Sequence, residues 1–144
     1  MTDHLSSRER SRNMAAIRGR NTSPEIAVRQ LAYALGYRFR LHRADLPGRP
    51  DLVFSSKRAV ITVNGCFWHQ HSSRTCKARP PKSNLDYWLP KLKRNVERDV
   101  ANRRRLRKLG WRVMVVWECQ TLDKRKLAER LSRFLQSEAT RRSR

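Results

Sequence analysis

Apolar positions along the chain change their spacing several times, and each change predicts an element. Ile26, Val28, Leu31, Ala32 and Leu35 recur at helical spacing. The preceding Asn21-Thr22-Ser23-Pro24-Glu25 is a helix start. Ser23 can cap exposed N–H groups, Pro24 suits the first turn, and Glu25 faces the positive end of the helix dipole. Gly36 is the matching stop. Residues 37–41 predict a short strand. The turn Leu46-Pro47-Gly48-Arg49-Pro50 delivers Asp51 onto the apolar run Leu52-Val53-Phe54. A polar turn at 55–58 then leads into Ala59-Val60-Ile61-Thr62-Val63, a run buried on both faces. Two β-branched runs joined in this way predict a hairpin.

Residues 64–84 show no regular period. A basic helix is predicted over 85–109, with Pro90 in its first turns and Gly110 just past its end. The run WRVMVVW at 111–117 is a third strand, and a helix over 122–137 carries Leu127, Leu131, Phe134 and Leu135 on one stripe. The order α, mixed β, then α-β-α predicts one α/β domain, a small mixed sheet flanked by helices. The arm 1–20 is polar and basic, the domain occupies 21–137, and 138–144 is expected to be a disordered basic tail.

Composition narrows the partners. The 144 residues allow one core, and no apolar run approaches the roughly 18 residues of a membrane span. MTDHLSSRERSRNM lacks the apolar stretch of a secretory signal, so a cytoplasmic location is expected. There, three cysteines argue against a disulfide framework and for metal or catalytic thiols. The 34 lysines and arginines against 12 acids give a charge of +22, whose self-repulsion is relieved by a polyanionic partner. Nucleic acid is the first expectation, and a membrane is not expected.

Two constellations carry chemistry. Cys66, His71, Cys76 and the distant Cys119 supply three thiolates and an imidazole, a donor set suited to a tetrahedral structural zinc. The spacing is not that of a standard finger, and a buried Cys119 with incidental Cys66 and Cys76 is the alternative. Asp51, opening a strand after a proline, is how many nucleases present a carboxylate to a catalytic Mg²⁺. An ordinary turn cap is equally consistent with it. The next strand, Val60-Ile61-Thr62-Val63-Asn64, lacks the second acid and the lysine of the commonest nuclease motif. His69 suits a general base if a carboxylate orients it, and Asp99 and Glu97 are the nearest candidates. Both acids could instead pair at i,i+4 with Lys93, Arg94 or Arg103. Phe67 and Trp68 in the irregular loop, with Trp88, suggest stacking on or wedging between bases; Trp88 could equally cap the core.

Together these segments resemble the very short patch repair (Vsr) endonucleases, which nick mismatched DNA. The matching runs are Ser11-Arg12-Asn13-Met14, Leu46-Pro47-Gly48-Arg49-Pro50-Asp51, Gly65-Cys66-Phe67-Trp68-His69, Asn95-Val96-Glu97-Arg98-Asp99, Leu109-Gly110-Trp111-Arg112-Val113 and Val116-Trp117-Glu118-Cys119. The resemblance implies a restriction-endonuclease-like fold with a degenerate nuclease motif and a structural zinc loop. It implies that Asp51 and the carbonyl of Val63 hold Mg²⁺, and that Glu25 lies near the waters around it. His69 would activate water with Asp99 as its partner. Cys66, His71, Cys76 and Cys119 would hold zinc, although three extra residues separate the middle two here. Phe67, Trp68 and Trp88 would wedge into the duplex at the mismatch, with Met14 inserting from the opposite side.

Asn64 stands where the best-known family member has a second active-site histidine. An amide can hydrogen-bond a phosphate oxygen but cannot donate a proton as imidazolium, so protonation of the leaving group would fall to water. The expected function is a Mg²⁺-dependent, strand-specific nickase acting beside T·G mismatches left by 5-methylcytosine deamination. The expected enzyme is a monomer, bacterial and nucleoid-associated, working on double-stranded DNA and alongside repair-pathway proteins. The alternatives are a nickase with another target, such as a modified base, and a catalytically silent zinc-stapled DNA-binding module.

Overall fold

A computed structural model describes residues 22–67, 69, 71, 76 and 82–142, the last six as backbone only. Met14 and Trp68 lie outside the described residues. Helix α1 spans Ser23–Ala34. Its cap is Thr22 rather than Ser23, which has already entered the helix; Thr22 Oγ1 accepts the Glu25 N–H at 3.4 Å. The chain leaves α1 through Gly36 at φ +97°, where the Tyr37 N–H returns to the Ala32 carbonyl. Strand β1 is only Arg40–Leu41, shorter than the 37–41 expected. Tyr37 and Phe39 turn their rings edge-on to Phe54, at centroid distances of 6.4 and 5.6 Å, and join the core instead of a ladder.

Strands β2 (Leu52–Phe54) and β3 (Ala59–Asn64) form the predicted antiparallel hairpin, closed by a 3-10 turn at Ser55–Lys57 with Arg58 left-handed. Helix α2 (Leu85–Lys108) crosses over to β4 (Arg112–Trp117), which pairs parallel with β3. A 3-10 segment at Glu118–Leu122 leads into α3 (Lys124–Arg142). This helix continues past the expected end at Ser137, because Ser137-Glu138-Ala139-Thr140 contains neither glycine nor proline to stop it. Residues 138–142, expected as disordered tail, are therefore helical. The sheet order is β1-β2-β3-β4.

Alternation along the strands builds two cores. Leu52, Phe54, Ala59, Ile61, Met114 and Val116 meet Val28 and Ala32 of α1 and Leu127, Leu131 and Leu135 of α3. The opposite residues, Val53 and Val60, meet Leu46, Leu106 and Trp111 on the α2 side. Because both faces of β2 and β3 are covered, their apolar runs are nearly continuous. Among the described residues no helix is long and apolar enough to cross a membrane.

Leu131 is fully buried in the larger core. Its replacement by alanine is expected to cost about 2–5 kcal/mol of stability, through lost transfer energy and an unfilled cavity. Denaturant unfolding of Leu131→Ala checks this, and a loss below about 1 kcal/mol would contradict the packing described.

Candidate active site and metal centres

The turn before β2 is set by Gly48, at φ +75°, where a Cβ would come within 2.9 Å of the Asn102 side chain on α2. This close approach holds the LPGRPD turn on α2 and brings Asp51 to the start of β2. Continuing the β2–β3 register two residues beyond Leu52↔Ile61 sets Pro50 opposite Val63. A proline has no N–H for a ladder. At this point the Asp51 carboxylate takes over: its Oδ2 accepts the Val63 N–H at 2.6 Å.

Around Asp51 the fold gathers two groups that are distant in sequence. His42, just after β1, lies opposite Asp51, with its N–H on the Asp51 carbonyl at 3.4 Å. Its Nε2 is 3.5 Å from Asp51 Oδ1 and 3.1 Å from Oε2 of Glu25. Glu25 is buried and also pairs with Arg29 at 3.0 Å, one turn along α1. The position that suited a helix dipole thus points into the site. Burial pushes the Asp51 carboxyl up to about 7, reinforced by the negative Glu25 and opposed by the Val63 N–H and Arg29. A carboxylate this costly to ionise on its own is a natural cation ligand, and the Glu25–His42–Asp51 donor set lies within 4.8 Å.

Nothing in the sequence pointed to His42. It belongs to no motif, and its only signal was being one of four histidines in a chain poor in acids. Antiparallel pairing of β1 with β2 is what brings it to Asp51.

Beyond β3 the loop turns back on itself. The His69 N–H bonds the Gly65 carbonyl at 3.1 Å, and the His71 N–H bonds the Cys66 carbonyl at 2.9 Å. His69 Nδ1 hydrogen-bonds Asp99 Oδ2 of α2. Of the two acids considered, Asp99 is the partner; Glu97 is exposed. With Asp99 ionised, Nδ1 is the donor of that bond. Asn64 ends β3 opposite Trp117 and is buried.

Cys66, His71, Cys76 and Cys119 converge, with donor atoms all within 4.8 Å of one another. His71 Nδ1 lies 3.6 Å from Cys66 Sγ and 3.5 Å from Cys119 Sγ. The four side chains thus form a group that could hold a metal ion. The His71 ring stacks on Trp117 at 4.2 Å and 10°, and the Cys66 N–H donates to Glu118 at 3.3 Å. The loop is therefore anchored to the end of β4. Burial pushes the Cys66 thiol up to about 12 and raises Cys119 as well, while it lowers His71.

Phe67 lies edge-on to Trp88 at 5.4 Å, and Tyr87 edge-on to Trp88 at 5.0 Å. Phe67 and Trp88 are half-buried and Tyr87 is exposed, and Trp88 lies outside the two buried clusters. The nine lysines and arginines between 91 and 108 ride on the same helix.

The sequence model of the DNA mismatch endonuclease Vsr family matches residues 2–75. The chain is 51% identical over 135 residues to the type II nicking enzyme V.XorIIP of Xanthomonas oryzae pv. oryzae, covering 94% of this chain and 98% of the relative. It is 43% identical over 129 residues to the DNA mismatch endonuclease Vsr of Escherichia coli, covering 90% and 81% respectively. Among solved structures it is similar to the catalytic domain of the homing endonuclease I-Bth0305I, with TM-score 0.55 at 16% identity, over 82% of this chain and 98% of that one. At that identity the likeness speaks for the fold alone.

Proposed function

The chain belongs to the Vsr family of DNA mismatch endonucleases, and from that premise we propose that it nicks one strand of duplex DNA beside a T·G mismatch left by 5-methylcytosine deamination, the opening step of very short patch repair. One observation carries the reading. The Asp51 carboxylate, grouped with Glu25 and His42, bonds Val63 near the end of β3, and the loop that follows β3 carries an imidazole hydrogen-bonded to Asp99.

In this reading His69 Nε2 takes the proton of the attacking water, and Asp99 holds the ring in the required tautomer and stabilises the imidazolium. Asp51 and the Val63 carbonyl hold Mg²⁺, with Glu25 close by. The carbonyl leaves β3 on the same edge as the N–H that reaches Asp51. When bound, the cation polarises the scissile phosphate and offsets charge on the leaving oxygen. Asn64 hydrogen-bonds a phosphate oxygen or water, and the leaving oxygen takes its proton from solvent.

The second metal is structural zinc, held by Cys66, His71, Cys76 and Cys119. Bonds of about 2.3 Å to sulfur and about 2.0 Å to nitrogen put tetrahedral neighbours about 3.5 Å apart, which matches the His71–sulfur separations above. Zinc then fixes the loop that carries both His69 and the wedge.

Phe67, Trp68 and Trp88 enter the duplex at the mispair, and Met14 enters from the other groove. Unstacking costs a few kcal/mol and is cheapest where pairing is already poor, which gives a physical source of selectivity. The basic helix α2 supplies phosphate contacts without sequence preference. The protein acts as a monomer.

A nicking assay over T·G, T·A and modified-base duplexes with randomised flanks tests the target directly. Cleavage of one strand, confined to T·G, is expected; equal cleavage of T·A would overturn it. In the same assay the double change Phe67→Ala/Trp68→Ala is expected to reduce the preference for T·G over T·A by about tenfold or more, the value of about 1.4 kcal/mol of lost discrimination. Undiminished preference would remove the wedge.

A further inference from the structure

We propose that His42 is a nitrogen ligand of the catalytic cation, so that the Glu25–His42–Asp51 site binds a first-row divalent ion, Mn²⁺, more tightly than Mg²⁺. The inference deepens the reading of Asp51 as a metal-holding carboxylate and rests on it. Three features of the cluster carry it.

The first is spacing. Two ligands of an octahedral ion with bonds of about 2.1 Å lie about 3.0 Å apart when adjacent, and about 3.4 Å apart around a tetrahedral one. His42 Nε2 is 3.1 Å from Glu25 Oε2 and 3.5 Å from Asp51 Oδ1. All three donor atoms fall within the 4.8 Å span of one coordination sphere.

The second is how the three groups are held. Arg29 braces Glu25 at 3.0 Å, and the Val63 N–H occupies the other oxygen of Asp51 at 2.6 Å, leaving Oδ1 toward His42. His42 itself sits at φ +48°, in the left-handed region, with its N–H on the Asp51 carbonyl. Side-chain exposures of 10% for His42, 4% for Glu25 and 15% for Asp51 leave little water to compete. Each donor therefore reaches the centre from a different element, α1, the end of β1 and the start of β2.

The third is donor chemistry. An all-oxygen site suits Mg²⁺, whereas imidazole raises affinity along the first-row series and adds nothing comparable for Mg²⁺. A histidine in the coordination sphere therefore changes which ion binds best, without changing the carboxylates the reaction needs. If His42 only bridged the two carboxylates by hydrogen bonds, its loss would weaken both ions alike.

The test uses the full chain with its thiolate site kept filled with zinc, so that Mn²⁺ is not taken up by the cysteines. Pulsed electron paramagnetic resonance of bound Mn²⁺ should show coupling to a ¹⁴N nucleus in the unsubstituted protein and lose it in His42→Gln. Glutamine offers an oxygen and can still hydrogen-bond Glu25. Calorimetric titration should give Mn²⁺ at least about tenfold tighter than Mg²⁺; His42→Gln should lose about tenfold for Mn²⁺ and less than about twofold for Mg²⁺.

Absence of nitrogen coupling in the unsubstituted protein overturns the proposal, and that measurement needs no variant to fold. Equal weakening of both ions in His42→Gln also overturns it. Asp51→Asn separates the underlying reading: it should lose both ions. If it binds Mn²⁺ as well as the unsubstituted protein does, the metal role of Asp51 fails and the His42 proposal falls with it.

Discussion

Asp51→Ala will abolish nicking, by at least about 10³-fold, while binding to a T·G duplex stays within about threefold. The loss follows from what Asp51 is asked to hold. Removing a ligand of the cation that stabilises a phosphoryl transition state costs several kcal/mol, and every 1.36 kcal/mol is about tenfold in rate. In the proposed reading binding survives because its energy comes from elsewhere, from the cationic residues of α2 and the aromatic rings around Trp88. Deleting an acid near DNA also removes a repulsion.

The fold is expected to persist, because the packed cores do not use the Asp51 side chain. The Val63 N–H would nonetheless lose its acceptor, at a cost of about 1–3 kcal/mol. Asp51→Asn restores an oxygen for that N–H without the charge, so equal loss of activity in both variants assigns the effect to chemistry. Single-turnover nicking, a binding titration and circular dichroism together check the result. A variant that nicks at the unsubstituted rate would show that the scissile phosphate is not served from this cluster.

The second large effect is expected from zinc. Purified protein should contain about one equivalent, and chelation or Cys119→Ser should remove it. Structural zinc contributes on the order of 10 kcal/mol in small domains, so the loop 65–84 should become a protease site and nicking should fall to background. The rest of the molecule has independent support, since the larger core of α1, α3 and the sheet does not include the cysteines. Helical circular dichroism should therefore change little while the loop melts. Metal-free protein that keeps its melting temperature and activity would refute the site. The link from zinc to chemistry is short: Cys66, Phe67, His69 and His71 lie within six residues, and the His71 ring stacks on Trp117 at the end of β4.

Much of the fold was legible wherever interactions are local. The α1 stop at Gly36, the hairpin, the crossover helix and the strand before the last helix are set by periodicity and by neighbours a few residues away. Errors fell at the edges, where tertiary contacts compete with local preference. Tyr37 and Phe39 preferred Phe54 to a ladder, Thr22 took the cap from Ser23, and α3 met nothing to end it at Ser137.

The site divides along the same line. The sequence by itself determined the chemistry available: a carboxylate after Pro50, three cysteines, an adjacent Phe-Trp-His and a surplus of positive charge. Its spacing left open which acid serves His69, a choice that only the family resemblance made, for Asp99, and it gave His42 no role. Tertiary structure shows both contacts. Packing of the loop against α2 selected Asp99 over Glu97, and the β1–β2 register carried His42 to Asp51. The same folding brought Cys119 to His71 across 48 residues. The physical reason is one of range. Helix caps, turns and periodic faces are written within about four residues of chain, whereas a coordination sphere is assembled by strand register and core packing, which no local pattern records.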